Sequence, residues 1–316
     1  MCTLVRSSRR TQSQVKILIT GGSGLLATNW ALAARAEHTV VLGLHKRKIL
    51  IRDVATLVLE LEASNQLQAS LAAIQPDLVV HTAGATSVEW CESFPEEAHR
   101  INVNLTTNVA CACSALKLAM VLISTDHLFV GADAFVDEDC PPLPQNVYGR
   151  TKAEAERRTL ECHPSTLVVR TNFFGWGTGY RQSFSDRIIV QARAGQPLTL
   201  FEDVFFTPIL IKTLVTAVQE LVQTQASGIL HIVGDERISK HEFGHAVANQ
   251  FGLDPNLIKA SRISNQRDLV RRPKDMSLSN AKACKLLGRR LGSVSAHLHA
   301  LQAQENAGVA RELQSL

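Results

Sequence analysis

The chain has 316 residues, 45% of them hydrophobic and 20% charged, with a formal net charge of +4. That length suits two domains, or one large domain with an elaboration, and buries a core without disulfides. So mild a charge, with no basic stripe interleaved with aromatics, argues against nucleic acid as a partner, and no apolar run approaches a membrane span. Residues 1–14 carry Arg6, Arg9 and Arg10 but lack the apolar centre of a secretion signal, and read as a disordered tail. The cysteines (Cys2, Cys91, Cys111, Cys113, Cys140, Cys162 and Cys284) are odd in number, irregularly spaced and free of any C-x-x-C. They fit buried thiols in a reducing, cytoplasmic compartment better than disulfides or a zinc site.

Residues 15–19 form a short, apolar, β-branched run that reads as a buried strand. Gly21, Gly22 and Gly24 follow at once, and then a helix-compatible stretch over 25–35. Strand, glycine turn and helix together aim backbone N–H groups and a helix N-terminus at a pyrophosphate. Gly21, Ser23, Gly24, Leu25 and Leu26 are the residues of that turn expected to meet a dinucleotide; Ala27 replaces the usual third glycine and is small enough for close helix packing. A glycine turn that binds nothing would share the pattern, but the flanks and the position early in the chain favour binding.

A second strand spans 39–44, and its end should meet the adenosine ribose. A carboxylate there would hold the 2′-OH of NAD. The sequence instead offers His45, Lys46, Arg47 and Lys48, which favours NADP(H) over NAD(H); a solvated basic loop is the plainer alternative. Strands follow at 57–61 and 78–82, separated by a helix at 67–74. The second of these strands ends in Ala83, Gly84 and Ala85, small enough to let a cofactor pass. A long helix over 95–118 leads to a strand at 121–124. This alternation predicts an α/β, Rossmann-type doubly wound parallel sheet with helices on both faces.

The fifth strand runs into Ser124, Thr125, Asp126 and His127, and a loop rich in Asp and Pro covers 131–144. Tyr148 opens a helix running to 161, and Lys152 lies one turn further on the same face. A sixth strand covers 166–170. Past Thr171 the alternation weakens: 201–206, 208–220 and 228–233 read as loop, helix and strand, and 239–251 as a helix. Thr171 is therefore the candidate boundary between a cofactor domain at 15–170 and a mainly substrate-binding part at 171–316, with the provision that such chains can cross back.

Hydride addition to a carbonyl leaves an alkoxide that needs a proton. Tyr148 would donate it in reduction and take it in oxidation, and Lys152 would lower the phenol's pKa and hydrogen-bond the nicotinamide ribose. Thr125, with Ser124 as second choice, would hydrogen-bond the substrate carbonyl. One motif is set aside: His241-Glu242-Phe243-Gly244-His245 fits the H-E-x-x-H metal helix. Its Phe243/Val247 face should be buried, both histidines should face solvent, and no third ligand sits at a suitable spacing. No metal is expected. His81, His99 and His231 read as packing or hydrogen-bonding histidines.

With these residues in place, the chain resembles the extended short-chain dehydrogenase/reductases, and within them the dTDP-4-dehydrorhamnose reductase group. Residues 20–27, 76–84, 102–104, 124–131, 148–152, 170–175 and 272–280 carry the resemblance. It implies a Rossmann domain with a smaller C-terminal α/β sugar-nucleotide domain, and NAD(P)H reduction of a 4-keto-6-deoxy nucleotide sugar by Thr125, Tyr148 and Lys152. Glu60, next to Leu61, stands where the family usually has an aspartate near the adenine. Thr86, Asp126, Asn172, Phe173, Trp176 and Arg272 are the candidate substrate contacts, the arginine because it grips phosphate in two places. Two residues depart from the family pattern: His127 replaces a tyrosine and Val130 an aspartate. The same scaffold serves epimerases, dehydratases and a regulatory subunit, the β subunit of methionine adenosyltransferase. The expected partner is a nucleotide sugar rather than nucleic acid or membrane, and a homodimer is a candidate assembly.

Overall fold

The computed structural model describes residues 14–266 and 269–316. The expected tail at 1–14, Gln14 apart, lies outside the described residues. Among the described residues seven strands form one parallel sheet: β1 Lys16–Thr20, β2 Thr39–Leu44, β3 Ala55–Val58, β4 Leu78–His81, β5 Ala119–Ile123, β6 Leu167–Arg170 and β7 Gly228–His231, in the order β7-β6-β5-β4-β1-β2-β3. The order reverses between β1 and β4. A crevice opens beyond the strand ends at such a switch point.

Period-two alternation explains the layering. Ile17 and Ile19 of β1 face helices α1 (Leu25–Ala34) and Ile211–Gln223 through Ala27, Trp30, Leu214 and Val218. Leu18 of the same strand faces the other way, with Val79, Leu122 and Val168, onto α2 (Ser64–Ile74) and α3 (Leu105–Leu116). Both faces are buried, as parallel sheets require.

The chain leaves the sheet after β6 and returns as β7, which pairs with β6 as the new edge. The stretch expected to form a separate half thus lends one strand to the central sheet. The rest packs a second core of Phe174, Ile188, Leu200, Phe206, Phe243 and Leu298, linked by short strand pairs such as Leu198–Phe201 with Ile258–Ser261. Ile209–Leu210, expected as helix, pairs with Phe173–Phe174 as strand, so the helix begins only at Ile211.

Helix α4 (Val147–Cys162) lies against α3 and carries Glu156 into the interior. There the Glu156 carboxylate accepts hydrogen bonds from Arg170 at the end of β6, from Nη2 at 2.8 Å and Nε at 3.1 Å, and from the Ser124 hydroxyl. Both members of the ion pair are sealed from solvent. Removing one partner of a buried pair strands the other charge, so Arg170→Met should lower the unfolding free energy in urea by about 3–5 kcal/mol. Breaking the exposed Arg157–Glu161 pair of the same helix by Arg157→Ala should change it by less than about 1 kcal/mol.

Candidate active site

The switch point opens a cleft of about 940 Å³, a size suited to a large small-molecule ligand. One end of it is the glycine turn. Gly21 has φ +67, and a Cβ there would lie 2.8 Å from the backbone of Ala83 on the neighbouring strand end. Helix α1 starts at Leu25 with no capping side chain and no acidic residue in its first turn. Its free N–H groups and positive dipole end thus point to an anion supplied from outside the chain. Together, the narrow turn, the uncapped helix and the length of the cleft fit a dinucleotide.

Further along, His45 and Arg47 line the wall after β2, and Glu60 and Leu61 line the wall after β3. The third strand ends at Val58 rather than at 61, which frees those two residues to turn into the cleft. Lys46 is exposed and does not line the cleft, so only part of the expected basic loop reaches it. Ala83, Gly84, Ala85 and Thr86 form the floor. Asn102 clamps that floor: its Oδ1 accepts from the Ala85 N–H at 2.8 Å, and its Nδ2 donates to the Ala85 carbonyl and to the Thr151 hydroxyl, each at 3.0 Å. Asn102 lies in a π-helical turn, Arg100–Asn104, in the middle of what reads from sequence as one uniform helix. Such turns re-aim side chains and gather at functional sites.

The chemical end is built by β5 and α4. Thr125, Tyr148 and Lys152 all line the cleft and are largely buried. The Tyr148 phenol is pushed well above its ordinary pKa by burial, against the pull of Thr125 and with the Asp126 carboxylate adding to the rise. Lys152 donates to the Ile123 carbonyl at 2.8 Å. Burial pushes its ammonium down to about 8, against the pull of Glu156. In this structure burial dominates the phenol's pKa, and Lys152 is not among the groups that shift it. The result is a phenol that keeps its proton at neutral pH beside an ammonium near its titration point.

Asp126 is buried, and its carboxylate accepts from the Asn172 amide. His127 also lines the cleft and meets the Tyr148 ring edge-on, with centroids 5.6 Å apart. Its Nδ1 is buried without a partner among the described residues, and burial lowers its pKa. Phe173 lines the cleft. Trp176 does not: it is 1% exposed, packs on Phe251 and donates to the Leu301 carbonyl at 3.0 Å. The second core seals it off, so it cannot stack on a ligand. Arg272 also lies outside the cleft lining and pairs with Glu89.

His241 and His245 stay half-buried on Lys240–Gln250, their Nε2 atoms 3.1 Å apart, while Phe243 and Val247 are buried. Glu242 is engaged in a capping box with Ser239. Among the described residues no group of three or more His, Cys, Asp or Glu could hold a metal. Of the other histidines, His81 bridges Thr20 and Thr106. Sequence reasoning missed Asn102, Tyr180 and Arg181 as cleft residues. Asn102 lies in a stretch already rich in polar residues, and Tyr180 and Arg181 sit in an irregular turn, so none of the three carried a local signal.

A doubly wound sheet with a glycine turn at its switch point and a Thr-Tyr-Lys set at its mouth defines a short-chain dehydrogenase/reductase scaffold. The sequence matches the family described as RmlD substrate binding domain over residues 15–306, and the chain belongs to that family. A protein of Haloferax volcanii named as a probable low-salt glycan biosynthesis reductase is 26% identical over 289 residues, 90% of this chain and 96% of its own. The dTDP-4-dehydrorhamnose reductase of Mycolicibacterium smegmatis is 29% identical over 257 residues, 80% and 75% of the two chains. The mouse methionine adenosyltransferase 2 subunit beta is 26% identical over 271 residues, 80% and 76%. Among solved structures, a dTDP-4-dehydrorhamnose reductase of Bacillus anthracis in complex with NADP superposes with a TM-score of 0.81 at 22% identity, over 92% of this chain and 99% of its own. No helix among the described residues is long and apolar enough to cross a membrane.

A Gly21→Ala substitution would drive a methyl group into the Ala83 backbone. NADPH affinity, read by nicotinamide fluorescence, should then fall about tenfold or more, with the far-UV dichroism unchanged.

Proposed function

We propose that this chain is an NADPH-dependent reductase of a 4-keto-6-deoxy nucleotide sugar. The observation that carries the reading is the convergence of Thr125, Tyr148 and Lys152 in the same cleft as the glycine turn. A reduced nicotinamide supplies the hydride when bound. Tyr148 gives its proton to the oxygen that was the carbonyl, and Thr125 hydrogen-bonds that oxygen while charge develops on it. Lys152 holds the nicotinamide ribose and, as an ammonium, stabilises the phenolate left on Tyr148. Asp126, His127, Asn172 and Phe173 line the wall where the sugar would lie. Arg47 accounts for the preference for NADPH over NADH.

The relatives named as reductases support this reading, since the chain covers most of their length. A second reading, a cofactor-binding regulatory subunit, rests on the likeness to the mouse subunit. Oxidation of NADPH on addition of dTDP-4-dehydrorhamnose supports the enzyme; binding of NADPH without turnover of any 4-keto nucleotide sugar supports the subunit.

Tyr148→Phe should cut turnover about 10²–10⁴-fold, the usual contribution of a positioned acid, with NADPH affinity nearly kept; steady-state kinetics and a binding titration check both. The pH profile has a defined sign. Lys152 is an ammonium below about 8 and neutral above it, so kcat for reduction should fall as pH rises through that value. An upward slope there would remove Lys152 from its assigned role.

A further inference from the structure

Arg47 follows β2, and its guanidinium lies 3.9 Å from the centroid of the Tyr180 ring. Among the described residues it has no carboxylate partner. Tyr180 comes from a distant part of the chain, a tight turn after β6 in which the Thr178 and Arg181 backbones exchange hydrogen bonds of 2.9 and 3.1 Å. The turn is fastened to the cleft at two points. The Tyr180 hydroxyl donates to the Ser23 carbonyl in the glycine turn at 2.8 Å, and Arg181 Nη2 donates to the Thr86 hydroxyl at 2.9 Å. The ring is therefore held at one end by the turn expected to meet the pyrophosphate, and it supports on its face the arginine expected to meet the ribose phosphate.

We propose that Tyr180 determines the preference for a dinucleotide bearing a ribose phosphate, by holding the Arg47 guanidinium over the face of its ring. The inference rests on the role given to Arg47 under the proposed function. A guanidinium stacked face-on keeps its N–H edge free, and that edge is what grips a phosphate in two places. Arg47 is otherwise an exposed, long and flexible side chain. Fixing it in advance removes rotamer entropy that phosphate binding would have to offset. The ring offers nothing comparable to NADH, which lacks the phosphate, so its effect is one of selectivity.

The test is direct titration of NADPH and NADH, read by nicotinamide fluorescence, on the wild type, Arg47→Ala, Tyr180→Leu, Tyr180→Phe and the Arg47→Ala/Tyr180→Leu double variant. Arg47→Ala should lower the NADPH preference about tenfold, and Tyr180→Leu about three- to fivefold, in line with a charge-assisted phosphate contact and an exposed cation–π contact. Tyr180→Phe keeps the ring and should keep the preference, even though the bond to Ser23 is lost. The double variant should be no less selective than Arg47→Ala alone, because the ring acts through the arginine. Far-UV dichroism and the urea unfolding midpoint of the same preparations serve as the control for folding. Equal weakening of both dinucleotides by Tyr180→Leu would overturn the proposal while leaving the role of Arg47 standing. An unchanged preference in Arg47→Ala would remove that role and the proposal with it.

Discussion

Glu156 ties the helix that carries the chemistry to the sheet that shapes the cleft. Its carboxylate meets Ser124, just past the end of β5, and Arg170, at the end of β6, so α4 is fixed against two strand ends at once. Lys152 lies one helical turn before Glu156 and Tyr148 one turn before that, all on the same face. Pinning the far turn therefore sets the position of the near ones. The Lys152 ammonium reaches the Ile123 carbonyl and Tyr148 faces Thr125 because the helix cannot slide along the sheet. A buried ion pair is a poor source of net stability, since desolvation consumes most of the attraction. Here its value is geometric.

The electrostatics of the site follow from the same burial. A phenol and an ammonium placed together in a low-dielectric cleft are both driven toward their neutral forms. For Tyr148 that means keeping the proton, the state an acid needs. For Lys152 it means a charge balanced near neutrality, sustained in part by Glu156. Glu156 thus acts on both geometry and charge. His127 brings a neutral imidazole to the same wall, with a buried nitrogen that has no partner among the described residues, where relatives of this kind are expected to carry a phenol. That exchange alters what the sugar side of the cleft can hydrogen-bond without touching the proton-donating set.

The regular half of the fold was legible because its signals are local. Short apolar, β-branched runs located β1, β2, β4, β5 and β6 to within a residue or two, and the glycine turn and the Tyr148/Lys152 spacing are short local patterns. What escaped depends on tertiary context. Leu59 to Leu61 look like strand by composition, yet the ladder stops at Val58. Asn102 reads as one of several polar residues in a helix, and only the π-helical turn aims it at the cleft floor. Trp176 has the composition of a stacking platform, but whether an aromatic faces a ligand or a core is decided by distant partners, here Phe251 and Leu301. Tyr180 shows the converse, since its importance lies in an arginine more than a hundred residues away.

The central claim is that this cleft brings a nicotinamide and a sugar carbonyl together beside Tyr148. Its most direct test is isotope transfer: the protein is incubated with dTDP-4-dehydrorhamnose and NADPH carrying deuterium at the transferable position of the nicotinamide, and the recovered sugar is examined by mass spectrometry and NMR. The account predicts deuterium bound to the sugar carbon that was the carbonyl carbon, appearing about 10²–10⁴-fold more slowly when Tyr148 is replaced by phenylalanine. Recovery of unlabelled, unreduced sugar from protein that binds both ligands would contradict it.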